Sequence, residues 1–370
     1  MSILLPLHIG QHIARYPILQ GAMAVRISGA RLAGAVANAG GIGLIASLGI
    51  GLNSPYFGKR QFFAANQLAL MDELQLARQI SPDGIIGVNV IVATRDYLAM
   101  ARTAAAHGAN LIVTAAGLPL DLPEYMEDYP DVALVPIVAN LQAAQTLCET
   151  WQQRYQRLPD ALILENCKAI GGHFASQCQE SDTDTLETAI AQLQNYLTRH
   201  FRTRIPLIVS GGIWDRGDID RAIAIGADGV QIGTRFITTE ECEADRRYKE
   251  FHLQAQARNV VVVPSPVGKP ARAIQNQFAE NVLAGSPNLE KRCIANCLES
   301  CMCRDRGESY CLIQALARAA QGDIEQGLVF SSGAIKPVEQ ILPVSELMAS
   351  LTDRSAQQKL NDFFRTPAMR

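Results

Sequence analysis

The sequence predicts a (β/α)8 TIM barrel followed by a C-terminal, Cys-rich, mostly helical extension. Two observations lead there. Eight short apolar runs alternate with longer amphipathic stretches from residue 17 to about 257, and five of the nine cysteines fall between 293 and 311, beyond the last run. Each apolar run is of strand length and lacks period-two alternation, as expected for a strand buried on both faces of a parallel sheet. Eight such strands with helices between them imply a closed barrel, with an open doubly wound sheet as the alternative architecture. The barrel is expected over residues 1–258 and the extension over 259–370, packing on or near it.

In order, the strand runs are Pro17–Gln20, Ile42–Ala46, Ile85–Val90, Asn110–Ala115, Ala133–Val138, Ala161–Glu165, Pro206–Ser210 and Gly229–Ile232. Helical patterns separate them: an Ala-rich Gly29–Ala39, Ala69–Ile80 with apolar residues three and four apart, and Thr94–His107 behind a Thr cap. Leu120–Tyr129 holds only a short helix. Leu141–Tyr155, Asp184–His200, Arg216–Ile225 and Glu243–Ala257 complete the series. Long interruptions, Gly49–Gln67 and Asn166–Thr183, follow the second and sixth strands on the side where a barrel keeps its active site.

Composition narrows the functional classes. The chain has 370 residues, 48% hydrophobic and 19% charged, with a formal net charge of −3. That apolar share suits a globular protein and excludes disorder as the main state. The charge leaves no basic footprint for nucleic acid, and no run of apolar residues is long enough to span a membrane. The start, Met1-Ser2-Ile3-Leu4-Leu5, does not read as a signal peptide, and the uneven cysteines do not suit a secreted disulfide scaffold. A reducing cytoplasm is therefore the expected location.

Four motifs carry chemistry. Gln20-Gly21-Ala22-Met23 follows the first strand, where small residues admit a flat ligand and Met23 offers a soft apolar face; a tight turn with a core methionine is the plainer reading. Ser210-Gly211-Gly212-Ile213 and Gln231-Ile232-Gly233-Thr234 end the seventh and eighth strands, where barrels commonly cradle a phosphate on backbone N–H groups. Gly171-Gly172-His173 places a histidine in the long loop after strand six, with an ordinary pKa suited to proton abstraction; a solvent-exposed loop histidine is the alternative. Asn89 is a polar residue ending an apolar strand, and a buried amide needs partners such as the edge of a flavin or a base.

Taken together and in this order, these motifs resemble the FMN-dependent nitronate monooxygenases, formerly 2-nitropropane dioxygenases, and the related flavin-dependent enoyl-acyl-carrier-protein reductases. The resemblance also takes in Tyr16-Pro17-Ile18-Leu19, Ala37-Asn38-Ala39-Gly40-Gly41-Ile42-Gly43, Ile86-Gly87-Val88-Asn89-Val90, Arg235-Phe236 and Ser265-Pro266-Val267-Gly268-Lys269-Pro270-Ala271-Arg272, and so covers most of the chain. It implies that the barrel binds FMN and that His173 is the catalytic base. It further implies that Asn89 bonds the isoalloxazine, and that the backbone around Ala22 and Met23 faces the ring. Gly211, Gly212, Gln231, Gly233 and Thr234 would then hold the phosphate and ribityl chain. One departure stands before the histidine: the family's acidic position is Ala169 here, which bears on substrate identity and on the pKa of His173.

The activity this implies is FMN-dependent oxidation of small alkyl nitronates with O2. An NAD(P)H-dependent flavin reductase of an enoyl thioester or quinone is the alternative, and a non-catalytic metal or ligand sensor is a third reading from another class. Partners would be a small-molecule substrate and O2, with NAD(P)H use and homo-oligomer formation left open; no nucleic acid or membrane is expected. The spacing Cys293-x3-Cys297-x3-Cys301-x-Cys303-x7-Cys311 matches neither a zinc ribbon nor the common ferredoxin runs. Structural thiols between short helices are expected, and no metal ligand is assigned.

Overall fold

A computed structural model describes residues 3–353 apart from 53, 59–61, 175–184 and 287–288. Most of the expected interruption Asn166–Thr183, the start of the expected helix at Asp184 and the extension beyond residue 353 therefore lie outside the described residues. Eight parallel strands close into a barrel: β1 (Ile18–Gln20), β2 (Ile42–Ala46), β3 (Ile85–Ile91), β4 (Leu111–Ala115), β5 (Ala133–Val138), β6 (Leu162–Glu165), β7 (Leu207–Ser210) and β8 (Gly229–Ile232). β8 pairs back onto β1, with Gln231 opposite Leu19. The (β/α)8 architecture read from the sequence is the one observed.

Alternation along each strand divides the apolar residues between two cores. Leu19, Ile42, Leu44, Leu111, Val113, Val135, Ile163 and Ile208 fill the barrel, while Ile18, Val88, Leu162, Val209 and Val230 face the surrounding helices. An N-terminal hairpin, Leu7–Ile9 with His12–Ala14, was not foreseen; Leu7, Ile9 and Ala14 join the inner core and close the N-terminal end of the barrel. Only the opposite end is left for a ligand.

The helices are α1 (Ala30–Asn38), α2 (Phe62–Ile80), α3 (Tyr97–Ala106), α4 (Leu122–Tyr125), α5 (Leu141–Tyr155), α6 (Leu186–Phe201), α7 (Arg216–Ala224) and, after β8, α8 (Thr234–Ile237) and α9 (Arg246–Gln254). Their starts follow capping chemistry: Asn140 accepts from the N–H of Ala143, Thr185 from that of Thr188, and Asp215 and Asp218 form a capping box. Gly43 lets α1 lie directly on β2, since a Cβ there would come 1.9 Å from the Ala33 carbonyl oxygen. α2 begins at Phe62, earlier than the expected Ala69. Its first turn is held by Phe62 packing into a second core built largely from the extension, a contact that local periodicity does not encode.

The extension opens with an antiparallel hairpin, Val260–Pro264 and Pro270–Ile274, and adds helices Gln277–Leu283, Met302–Arg306, Leu312–Ala320 and Val344–Thr352. The hairpin accepts a third strand, Gly172–His173, from the loop after β6. The last helix returns to the barrel, packs on α1 and α7, and buries Leu347, Met348 and Leu351 in the outer core.

Candidate active site at the mouth of the barrel

Polar residues gather where the inner faces of the strands end. With Ile163 and Ile208 inward, the same parity turns Glu165 and Ser210 inward at the C-terminal ends of β6 and β7. Ser210 stands in register with Glu165 on one side and with Gln231 on the other. Asn89 takes the matching level on β3, between Ala46 of β2 and Val113 of β4. Asn89 is only 7% exposed and Gln231 only 6%, yet neither side chain makes a hydrogen bond within the described protein. Their amide groups open into the space at the strand ends, where a ligand could bond them.

The rim loops have distinct roles. Gln20 donates to Ser28 Oγ at 3.0 Å and accepts from the Leu44 N–H, which fixes the turn carrying Ala22 and Met23. Gly233 precedes the short helix Thr234–Ile237, and the nearest atom to a Cβ built on it is Met23 Sδ at 3.7 Å, so the space beside it is open. Gly211 and Gly212 have φ of 97° and 82°; side chains there would press on the Asn166 carbonyl oxygen at 3.0 Å and on Ala169 Cβ at 2.9 Å. These two glycines thus admit the loop from β6 as well as exposing backbone. Thr234 Oγ1 accepts the Ser332 N–H at 3.1 Å, and Ser332 Oγ donates to the Ala169 carbonyl at 2.7 Å. The extension thereby ties the loop after β8 to the loop after β6.

His173 sits in the three-stranded sheet rather than on a free loop, and pairs in register with Ala271. Its Nε2 lies 2.6 Å from Ser265 Oγ, and its ring meets Phe330 edge-on with centroids 5.1 Å apart. Arg272 clamps the approach: its guanidinium donates to the carbonyls of Cys167 and Ile170 and lies 4.2 Å from the Phe174 ring centre. Burial, reinforced by the nearby Lys269 cation, lowers the His173 pKa to about 4. The imidazole is therefore neutral at physiological pH. Glu165 moves the other way, to about 7, because burial outweighs the attraction of Lys269. Burial also lowers the pKa of Lys269, and Glu165 opposes that shift.

Sequence reasoning assigned no role to Glu165, Ser265, Lys269 or Arg272. Glu165 carries the same signal as Asn89, a polar residue closing an apolar strand. The other three depend on a hairpin that brings distant segments together.

The model of the nitronate monooxygenase family matches residues 6–354. The chain belongs to the nitronate monooxygenase family. A probable nitronate monooxygenase of Staphylococcus aureus strain Newman is 26% identical over 72% of this chain and 77% of its own length. One of Staphylococcus saprophyticus is 40% identical over a local stretch covering 20% of this chain and 21% of that protein. The fold is shared with FabK from Thermotoga maritima, at TM-score 0.69 and 24% identity over 95% of this chain and 96% of FabK. It is shared too with a nitroalkane oxidase from Streptomyces ansochromogenes, at TM-score 0.67 and 18% identity over 94% and 98% of the two chains. This family member is a flavin-dependent oxidoreductase. No helix among its described residues is long and apolar enough to cross a membrane.

Proposed function

We propose that the protein binds FMN and oxidises small alkyl nitronates, together with the nitroalkanes that ionise to them, using O2. The observation that carries this reading is a neutral imidazole, His173, beside a barrel mouth lined by two amides that make no hydrogen bond to another described residue. In this reading Asn89 and Gln231 satisfy the polar edge of the isoalloxazine and the ribityl hydroxyls, and Ala22 and Met23 face the ring. Backbone N–H groups around Gly211, Gly212, Gly233 and Thr234 hold the single phosphate. Open space at Gly233 supports that placement. Bound FMN supplies the electron acceptor and the path to O2, since the redox chemistry belongs to the cofactor.

The chain handles the proton and the charge. His173 takes the α-proton of a neutral nitroalkane, and its lowered pKa keeps the free base available at every pH well above about 4. A base this weak needs the developing anion to be stabilised elsewhere. Lys269, close enough to perturb both His173 and Glu165, is the cation placed for that task. A substrate supplied as the nitronate has already lost this proton and bypasses the histidine.

Anaerobic mixing tests the function. Propyl-2-nitronate should bleach the flavin, with NADH and NADPH much slower. Fast bleaching by a nicotinamide and none by the nitronate would replace this reading with a reductase of an enoyl thioester or quinone. Failure of both would favour a non-catalytic sensor.

A further inference from the structure

A second histidine, His252, lies behind the ring that packs on His173. It sits on α9 with no exposed surface, and its two ring nitrogens each meet a backbone carbonyl. Nδ1 lies 3.0 Å from the carbonyl oxygen of Tyr248, one turn back in the same helix, and Nε2 lies 3.3 Å from that of Phe330 in the extension. Phe330 stands opposite Ala273 of the extension hairpin, and its ring meets the His173 ring edge-on with centroids 5.1 Å apart. One residue therefore connects His252 to the candidate base.

A carbonyl oxygen only accepts, and a neutral imidazole carries a single N–H. The neutral ring can therefore serve one of the two carbonyls, and its lone pair faces the other. The doubly protonated ring donates to both. In the neutral ring the proton belongs on Nδ1, where the contact is shorter and lies within one helix, so the bond made and lost is the one to Phe330. We propose that His252 is a positioning residue whose second proton, on Nε2, bonds the Phe330 carbonyl and holds the Phe330 ring against His173. On its own helix Tyr248 packs beside it with ring centroids 4.7 Å apart, while the Lys249 ammonium turns to the Glu240 carbonyl. Among the described residues no charged side chain shifts its titration: burial lowers the pKa, and the two carbonyl contacts oppose that shift. The contact with Phe330 is thus made on the acid side of a midpoint below the ordinary histidine value, and it is lost as pH rises through that midpoint.

The kinetic consequence rests on the reading of His173 as the base, but the first test does not. Nitrogen-15 NMR of the full chain with labelled histidine follows each ring nitrogen as pH is lowered from about 8 to about 5, the range in which histidine titrates. The His252 signals are those missing from His252→Gln, and the His173 signals those missing from His173→Asn. His252 should begin as Nδ1–H with a bare Nε2, then gain a proton on Nε2 while the protein stays folded. The ring-proton shifts of His173, which feel the Phe330 ring, should move in step, although His173 with its pKa at about 4 does not itself titrate there. Phe330→Leu should abolish that step while His252 still titrates. A bare Nε2 throughout the folded range would overturn the proposal, and so would protonation of Nε2 that leaves the His173 shifts unmoved. With neutral nitroalkanes, kcat of the FMN-loaded wild type should fall by about 3-fold as pH rises through the His252 midpoint, with KM within about 2-fold, and Phe330→Leu should lack this limb. A step in the His173 shifts with no step in kcat would leave the positioning of Phe330 standing and remove His173 as the base.

Discussion

His173 pairs in register with Ala271, so the strand carrying the candidate base hydrogen-bonds to a hairpin of the extension rather than to the barrel. Arg272, the next residue on that hairpin, bonds the carbonyls of Cys167 and Ile170 upstream of the histidine. The extension, not the barrel, orients the candidate base. Replacing Arg272 with Met keeps the aliphatic stem but removes both hydrogen bonds. The variant should fold with its flavin and lose about 10-fold or more in kcat on neutral nitroalkanes, since misplaced catalytic groups cost at least that much. Steady-state kinetics with the flavin content measured alongside checks this.

Gly233→Val should fold yet bind FMN more weakly. The φ of Gly233 is −100°, accessible to any residue, and its nearest neighbours leave ordinary contact room. The intruding side chain would occupy space proposed for the phosphate. Equilibrium dialysis should show FMN affinity reduced by about 10-fold or more, equivalent to about 1.4 kcal/mol. Undiminished affinity would move the phosphate elsewhere.

Asn89→Leu should separate stability from binding. The Asn89 side chain makes no hydrogen bond to another described residue, so replacing it breaks none within the flavin-free protein. The flavin-free variant should melt no lower than wild type, while FMN binds more weakly. Thermal unfolding with and without FMN reads both effects.

Glu165→Gln should alter the pH dependence. The Glu165 carboxyl, with its pKa near 7, is increasingly ionised as pH rises through neutrality and then repels an anionic nitronate. In wild type kcat/KM for propyl-2-nitronate should fall as pH passes through about 7. In Glu165→Gln that limb should be absent. The same shift affects stability. A raised carboxyl pKa means that the folded state keeps a proton the unfolded state has released, so wild type loses stability from the ordinary Glu range up to about 7. The variant should gain on wild type over that window.

The barrel was legible because its information is local: eight apolar runs at regular spacing mark eight strands. The candidate site could be read only where one strand carried its signal. Asn89 stood out as an amide in an apolar run, whereas Glu165 carried an equal signal that was passed over. Ser265 reaches His173 by a side-chain contact and Arg272 reaches the same segment by strand pairing, each across about ninety residues of sequence. No periodicity encodes such contacts. For the same reason the sequence placed His173 on a flexible loop, when pairing with Ala271 holds it in a strand.

The central claim is that His173 removes the α-proton. The most direct test compares His173→Asn with wild type on a neutral nitroalkane and on its pre-formed nitronate, at equal flavin content. Activity on the neutral substrate should fall by about 10²–10⁴-fold, the usual range for a general base, while activity on the nitronate changes much less. Equal loss on both substrates would instead make His173 a residue that binds the nitro group or shapes the flavin pocket, and would contradict the account.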